Sequence, residues 1–346
     1  MFDYGILKSE EYDVAVISVG NITVGGTGKT PHTEYLINMM QKSGLKVAVL
    51  SRGYKRKSSG FHWVESSSSP INVGDEPFQM KMKYPEALVA VDGNRRRGIK
   101  HILDKHPDTN VILLDDAFQH RWVKAGISIL LMDYNRKVYE DKLLPAGSLR
   151  ESITEMDRAN IIIVTKSPRD LSPMDVRVIS KHLEARPHQL LYFTDFRYQA
   201  IKPLFPELAE INGLPLEGFD REQDSVLLVT GIASNIKLIN DLSYYVSNIV
   251  PLAYPDHHSF SLKDLQEIDK AYKSLSGDKR RIVLVTEKDA VRLMHMDQLS
   301  DEVKRNIYYI PIEVNFLHEQ QLTFNSKLID YVRKNKPNSR VLERGY

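Results

Sequence analysis

Apolar residues along this chain come in short, almost unbroken runs. VAVISV (14–19), KVAVLS (46–51), ALVAVD (87–92), NVILLDD (110–116), ISILLMD (127–133) and NIIIVTK (160–166) are rich in β-formers with little polar interruption. Such runs mark strands buried on both faces of a parallel sheet. Between them, HTEYLINMMQKSG and GIKHILDKH carry a helical period. Alternating β and α predicts a doubly wound α/β domain. SSGFHWVESSSSPINVGDEP (58–77) breaks the rhythm. It is serine-rich and aperiodic, and predicts a long loop, or a short hairpin around FHWV, of the kind that carries binding residues.

The pattern changes after about residue 170. HQLLYFTDFRYQAIKPLF (188–205) alternates like exposed strands. SVLLVTGI (225–232), a helix near IKLINDLSYYVS, RIVLVTEKD (281–289) and NIYYIPIEV (306–314) then restore the alternation, and QQLTFNSKLIDYVRKN closes it as a helix. The expected organisation is a first α/β domain over 1–187, a strand-rich linker over 188–223, and a smaller α/β domain over 224–346.

Length and composition narrow the class. The chain has 346 residues, enough for two domains, and 42% of them are hydrophobic. A net charge of +2 gives no global polyanion-binding field, so no nucleic-acid partner is expected. There is no cysteine, which excludes disulfides and thiolate metal sites and suits a reducing compartment. No apolar run reaches the ~18 residues of a spanning helix, and MFDYGILKSEEYD has no signal-peptide pattern. No obligate protein partner follows from the sequence.

Chemistry enters at VGNITVGGTGKTPHTEYL (19–36), where a strand runs into a helix through glycines. Gly25, Gly26 and Gly28 permit backbone angles that turn successive N–H groups inward to cradle phosphate. Thr23, Val24, Gly25, Gly26, Thr27, Gly28, Lys29 and Thr30 are the expected nucleotide-binding residues. Lys29 would reach the β- and γ-phosphates, and the Thr30 hydroxyl would ligate Mg²⁺. The usual motif has glycine where Thr23 stands. A P-loop also needs an acidic metal partner on a neighbouring strand, and NVILLDD offers Asp115 and Asp116 at a strand's C-terminal end. One of the two could instead cap a helix. The first domain is therefore expected to be a P-loop NTPase-like parallel sheet.

The motifs VGNITVGGTGKTP, SRGYKR (51–56), VGDEP (73–77), DDAFQH (115–120), PAGSLRE (145–151), VTKSP (164–168) and PDHHSF (255–260) occur in that order. Together, over residues 14–290, they resemble the tetraacyldisaccharide 4'-kinases of lipid A biosynthesis, whose own loop has threonine in place of the first glycine. The resemblance implies two α/β domains around a cleft. It also implies ATP- and Mg²⁺-dependent phosphorylation of the 4'-hydroxyl of a tetraacylated glucosamine disaccharide 1-phosphate, giving lipid IVA. The acceptor-activating aspartate of the family matches Asp75. Its supporting histidine matches the DHH segment, with His257 preferred and His258 kept beside it. A carboxylate alone is a weak base, and a paired histidine can share the proton. From its place in the long loop, Asp75 should be free to reach substrate.

Arg52 and Tyr54 follow the second strand, Gln119 and His120 follow the aspartates, and Arg150 and Glu151 end PAGSLRE. All six are candidate substrate contacts. Lys55 and Ala117 stand where the family usually has glycine. NRRRGIK (94–100) reads as a solvated helix face or as a contact for the substrate's 1-phosphate or anionic headgroups. Neither TKSP nor TEKD is the NKxD that reads guanine, so ATP is expected. A GTPase-type switch would carry NKxD, and a non-catalytic scaffold would not need the paired aspartates or the DHH loop. Family members commonly begin with an apolar anchoring helix, which FDYGILKSEEYD does not resemble. The expectation is peripheral association with the cytoplasmic side of the bacterial inner membrane, with weaker activity on membrane-borne than on detergent-dispersed substrate.

Overall fold

In a computed structural model that describes residues 2, 7–232, 234–256, 258–276 and 279–335, the six apolar runs of the first half all form strands. The elements are β1 (Ala15–Gly20), α1 (Lys29–Lys42), β2 (Val47–Ser51), β3 (His62–Trp63), α2 (Pro70–Val73), α3 (Asp75–Lys83), β4 (Leu88–Val91), α4 (Arg95–Lys105), β5 (Val111–Asp115), β6 (Ile127–Asp133), β7 (Ile161–Thr165), α5 (Pro173–Leu183) and β8 (Leu190–Tyr198). Every residue of β1, β2, β5 and β7 is buried, which is why these strands show no polar alternation. FHWV does supply a hairpin-like strand: β3 pairs antiparallel with β4 at the sheet edge.

Side chains at the helix starts fix the boundaries. Asn94 accepts from Arg97 N at the head of α4, and Ser172 with Asp175 forms a capping box on α5, with Pro173 in the first turn. From α4, Ile99 and Ile102 pack onto Val16, Leu50, Ala90, Ile112 and Leu114 of the sheet. Asp75 does not lie in a loop as the serine-rich run suggested. Pro70 starts the short α2, Gly74 turns the chain, and Asp75 is the first residue of α3.

The remaining elements are β9 (Lys202–Pro203), β10 (Asp224–Thr230), α6 (Ile236–Leu242), β11 (Asn248–Ala253), α7 (Leu262–Lys273), β12 (Arg280–Thr286), α8 (Glu287–Leu293), α9 (Asp301–Asn306), β13 (Ile307–Ile310), β14 (Ile312–Phe316) and α10 (Gln321–Lys334). A nine-stranded sheet runs β14-β8-β7-β6-β1-β5-β2-β4-β3, and a five-stranded sheet runs β11-β10-β12-β13-β9. In the smaller sheet, α7 buries Leu265, Ile268 and Tyr272 on Leu227, Val229, Val283 and Val285. Leu238 and Leu242 of α6 cover Val226, Leu228, Ile282 and Leu284. Strand β11 was not expected. It is a poorly buried edge strand containing Pro251, which an edge tolerates and a sequence pattern hides.

The chain divides into one unit of residues 1–196 with 314–346 and a second of 197–313, not at 187 and 223. Two contacts explain the difference. Strand β8, expected in a linker, pairs parallel with β7. Strand β14 joins the same sheet beside β8 and takes α10 with it. Phe316 and Phe324 have ring centroids 4.6 Å apart, Tyr192 lies 5.2 Å from Phe324, and Tyr35 of α1 lies 5.3 Å from Phe316. The Tyr35 hydroxyl donates to Asn325 Oδ1 at 2.7 Å. The closing helix thus belongs to the first unit. Among the described residues no helix is long and apolar enough to cross a membrane.

Candidate active site

The phosphate loop leaves β1 and enters α1. Gly25 has φ +98° and Gly28, the residue capping α1, has φ +85°, both left-handed. A Cβ on Gly28 would lie 2.7 Å from Phe196 Cζ. Thr23 needs no such freedom. Its backbone is not left-handed, it bridges antiparallel to Leu149, and Val24 N donates to Ser148 O at 2.8 Å. Among the described residues, the amides of Gly25, Gly26, Gly28, Lys29 and Thr30 make no hydrogen bond, so they are open to an anion at a helix start. Lys29 Nζ donates to Asn21 Oδ1 at 3.3 Å and lies 3.5 Å from Asp116 Oδ1.

Parallel pairing brings the acidic residues to this loop, with Val19 of β1 opposite Asp115 of β5. Asp115 is buried. It accepts from Thr33 Oγ1 at 3.2 Å and from Ser51 Oγ at 3.0 Å. Burial, then the neighbouring Asp116 charge, pushes its carboxyl up to about 6, against the pull of Lys29. Asp116 sits at φ +48°, with Oδ1 buried and without a hydrogen-bond partner and Arg150 Nη1 3.8 Å away. Among the described residues no group of three or more His, Cys, Asp or Glu could hold a metal ion alone. A carboxylate oxygen with no hydrogen-bond donor, at the end of the strand next to the phosphate loop, fits a hard cation that takes its other ligands from phosphate and water, as Mg²⁺ does.

The substrate candidates fall around the same end of the sheet. Gln119 Nε2 donates to Asn21 O at 2.7 Å and reaches Glu151 Oε2 at 3.4 Å. Glu151 is held by Arg158 at 2.9 Å. Half-buried His120 has no partner for Nε2, and burial followed by Arg95, Arg96 and Arg52 lowers it to about 4, so the ring is neutral. Arg150 N donates to Ile22 O at 2.7 Å, which ties PAGSLRE to the loop. Ala117, in a usual glycine position, is buried and donates to Val19 O at 3.2 Å.

Arg52, Tyr54, Lys55, Arg56 and Arg97 border a cleft of about 480 Å³, with Asp92 in its wall. Arg52 and Tyr54 are exposed. Lys55 adopts φ +60°, the conformation a glycine would take without strain. Asp75 is brought toward this segment by backbone contact, since a Cβ on Gly74 would meet Gly53 Cα at 3.2 Å. Helix α3 is fastened to the phosphate-loop helix by Glu34, which accepts from Gln79 and from Lys83, each at 2.7 Å. The NRRRGIK arginines are committed within the fold. Buried Arg95 donates to Asp92 O at 2.5 Å and Asp115 O at 3.2 Å, Arg96 lies 4.9 Å over Trp122, and Arg97 grips Asp92 with two bonds of 2.8 Å.

In the second unit, His258 Nε2 meets Asp264 Oδ2 at 3.0 Å. Its ring stacks on Tyr254 at 4.7 Å and meets Phe260 edge-on at 5.3 Å. His257 lies outside the described residues. In TEKD, buried Asp289 accepts from Gly231 N at 3.0 Å and Thr286 Oγ1 at 2.6 Å, which makes it a structural cap. Sequence reasoning did not identify Ser51 and Thr33 as Asp115's partners, nor the donors that touch the loop's outer side: Arg136, Thr165 and Lys166. The last two lie in VTKSP, a motif of the family resemblance to which no contact with the loop was given.

Open amides at a strand-to-helix turn, a lysine at their mouth and paired aspartates on the adjacent parallel strand define a P-loop nucleotide-handling enzyme. The model of the family described as tetraacyldisaccharide-1-P 4'-kinase matches residues 1–333. The chain is 53% identical to the tetraacyldisaccharide 4'-kinase of Phocaeicola vulgatus over 98% of its length and 92% of that protein's. It is 48% identical to that of Bacteroides thetaiotaomicron over 99% and 91%. Among solved structures, LpxK from Aquifex aeolicus in complex with ATP superposes with a TM-score of 0.68 at 26% identity, covering 95% of this chain and 92% of that one. The chain belongs to the tetraacyldisaccharide-1-P 4'-kinase family, and is a kinase.

Proposed function

We propose that this chain transfers the terminal phosphoryl group of ATP to the 4'-hydroxyl of a tetraacylated glucosamine disaccharide 1-phosphate, giving lipid IVA in lipid A biosynthesis. The observation that carries the nucleotide side is the set of open amides at Gly25, Gly26, Gly28, Lys29 and Thr30, with Lys29 Nζ 3.5 Å from Asp116 Oδ1. In this reading the amides and Lys29 hold the β- and γ-phosphates. Asp116 and Thr30, with Asp115 behind them, hold Mg²⁺, which when bound neutralises charge on the phosphates. Arg150, 3.8 Å from Asp116 Oδ1, lies where it can meet charge on the transferring group.

The acceptor oxygen attacks the γ-phosphorus, the bond to the β–γ bridging oxygen breaks, and ADP leaves. The hydroxyl proton passes to the carboxylate of Asp75. Of the two PDHH histidines, His258 is engaged by Asp264, Tyr254 and Phe260, which supports giving the assisting role to His257. The cleft bordered by exposed Arg52 and Lys55 suits the anionic end of the acceptor, with Tyr54 beside it; Gln119, His120 and Glu151 are the further acceptor contacts in this reading. Four acyl chains keep such an acceptor at a bilayer surface. The reading therefore includes peripheral work on the cytoplasmic face of the inner membrane, where ATP is available.

Mass spectrometry of a reaction containing ATP, Mg²⁺ and the disaccharide lipid tests the proposal. One added phosphate on the lipid is expected. ADP formed at an equal rate with and without the lipid, and no phosphorylated lipid, would overturn it.

A further inference from the structure

Three carbonyls of the phosphate loop each receive a side-chain donor from the ends of two neighbouring strands. Arg136 Nη1 donates to Val24 O at 3.0 Å, Lys166 Nζ to Gly26 O at 2.6 Å, and Thr165 Oγ1 to Thr27 O at 2.9 Å. All three donors are organised around the end of β6. Asp133, almost fully buried, accepts from Lys166 Nζ at 2.6 Å through Oδ2 and from Asn135 N at 3.0 Å through Oδ1. Its carbonyl takes Arg136 N at 2.9 Å, closing the turn that carries Arg136. Lys166 itself is held at φ +56°, a left-handed backbone that lysine seldom adopts.

We propose that Lys166 and Asp133 form a positioning pair that fixes the phosphate loop in its receptive form, with Arg136 and Thr165 as additional struts. The inference rests on the reading above that this loop holds the phosphates of ATP. The physical reason lies in the peptide plane. A trans peptide points its C=O and the next residue's N–H in opposite directions. Pinning the carbonyls of Val24 and Thr27 outward therefore turns the amides of Gly25 and Gly28 the other way, where they make no bond within the protein. Glycines are the residues least able to hold such a shape unaided. Three of them stand within this loop, so without the struts its ordering would fall on nucleotide binding. Because Lys166 and Thr165 bond only to the outer side, they are positioning residues and not phosphate ligands.

Steady-state kinetics with Mg²⁺·ATP and the disaccharide lipid provide the test, beside melting without nucleotide. Lys166→Met strands the Asp133 carboxylate, so the Asp133→Asn/Lys166→Met pair is measured with it. Thr165→Val, which alters no charge, keeps the test where a charged variant does not fold. Loss of preset geometry weakens ground and transition states alike, so KM for ATP should rise about ten-fold in the paired variant and about three-fold in Thr165→Val, with kcat within about three-fold of wild type. The acceptor's KM should stay unchanged, and Lys166→Arg should restore most of the ATP affinity. Variants that fold and keep KM for ATP within about two-fold, or that lose kcat and not affinity, overturn the inference. Lys29→Ala separates the two readings. If it abolishes turnover while the Lys166 and Thr165 variants keep wild-type KM, only the positioning role fails. If Lys29→Ala retains turnover, the phosphate-loop assignment itself fails.

Discussion

Asp115→Asn should make the metal-free protein more stable while disabling it. Asp115 is 5% exposed, and burial together with Asp116 and Glu76 raises its carboxyl from 3.8 to about 6. The folded protein then holds this proton more tightly than the unfolded chain. The stability this confers is fully present below pH 3.8 and is lost as pH rises through 6. Near pH 8 the buried charge costs about 3 kcal/mol, at ~1.4 kcal/mol per pKa unit. Asparagine removes the charge, and its amide can still bond the Ser51 and Thr33 hydroxyls that now donate to the carboxylate. Both tryptophans, Trp63 and Trp122, lie in the first unit, so their fluorescence reads its melting alone. For a unit of this size, about 3 kcal/mol corresponds to roughly 6–12 °C in Tm. In chelator-treated protein the variant should melt higher by about that much at pH 8, and the gap should close toward pH 4. Activity should fall about 10- to 100-fold, as for groups that tune a metal site. Equal melting at pH 8, or a gap of the same size at both pH values, would refute the argument that the charge is carried at a cost to stability.

Other substitutions separate the roles of neighbouring residues. Asp75→Ala should lower transfer by about 10²-fold or more while leaving ATP affinity nearly intact. A loss of ATP binding in equilibrium titration would instead make Asp75 a metal or nucleotide ligand. Gly28→Ala forces a left-handed alanine at a cost of roughly 1–2 kcal/mol, beside its contact with Phe196, and should lower both Tm and ATP affinity. Unchanged melting and KM would count against the loop geometry. His258→Ala should weaken the second unit by about 1 kcal/mol through loss of its aromatic contacts, seen in chemical denaturation, whereas His257→Ala should cut kcat. The reverse pattern would exchange the two assignments.

Much of the first sheet was legible because its strands are buried on both faces, so continuous apolar runs mark them. The turn from β1 into α1 and its acidic neighbours were legible for a different reason: the glycines, Lys29 and Thr30 stand at fixed offsets, and Asp115 ends a strand, with Asp116 next to it, whose register with β1 follows from the parallel order. The ownership of α10 was not legible. It depends on Tyr35, Tyr192, Phe316 and Phe324 meeting from distant parts of the chain, and local period carries no trace of that contact. Nor could a pattern show that Asp75 starts a helix brought to the cleft by Gly53 touching Gly74.

Thr23 shows how a departure from a motif can follow from its surroundings. Glycine is required in a phosphate loop only where φ is positive or the backbone is crowded, and those demands fall here on Gly25 and Gly28. At Thr23, beyond the end of β1, the chain makes an isolated antiparallel bridge with Leu149, flanked by bonds from Val24 N to Ser148 O and from Arg150 N to Ile22 O. A β-branched residue favours that extended conformation. The same pairing carries Arg150 to within 3.8 Å of Asp116 Oδ1. The residue that looked like a defect in a nucleotide loop is therefore where PAGSLRE is fastened to it. A change at Thr23 that weakens the pairing should act on Arg150 as much as on the loop.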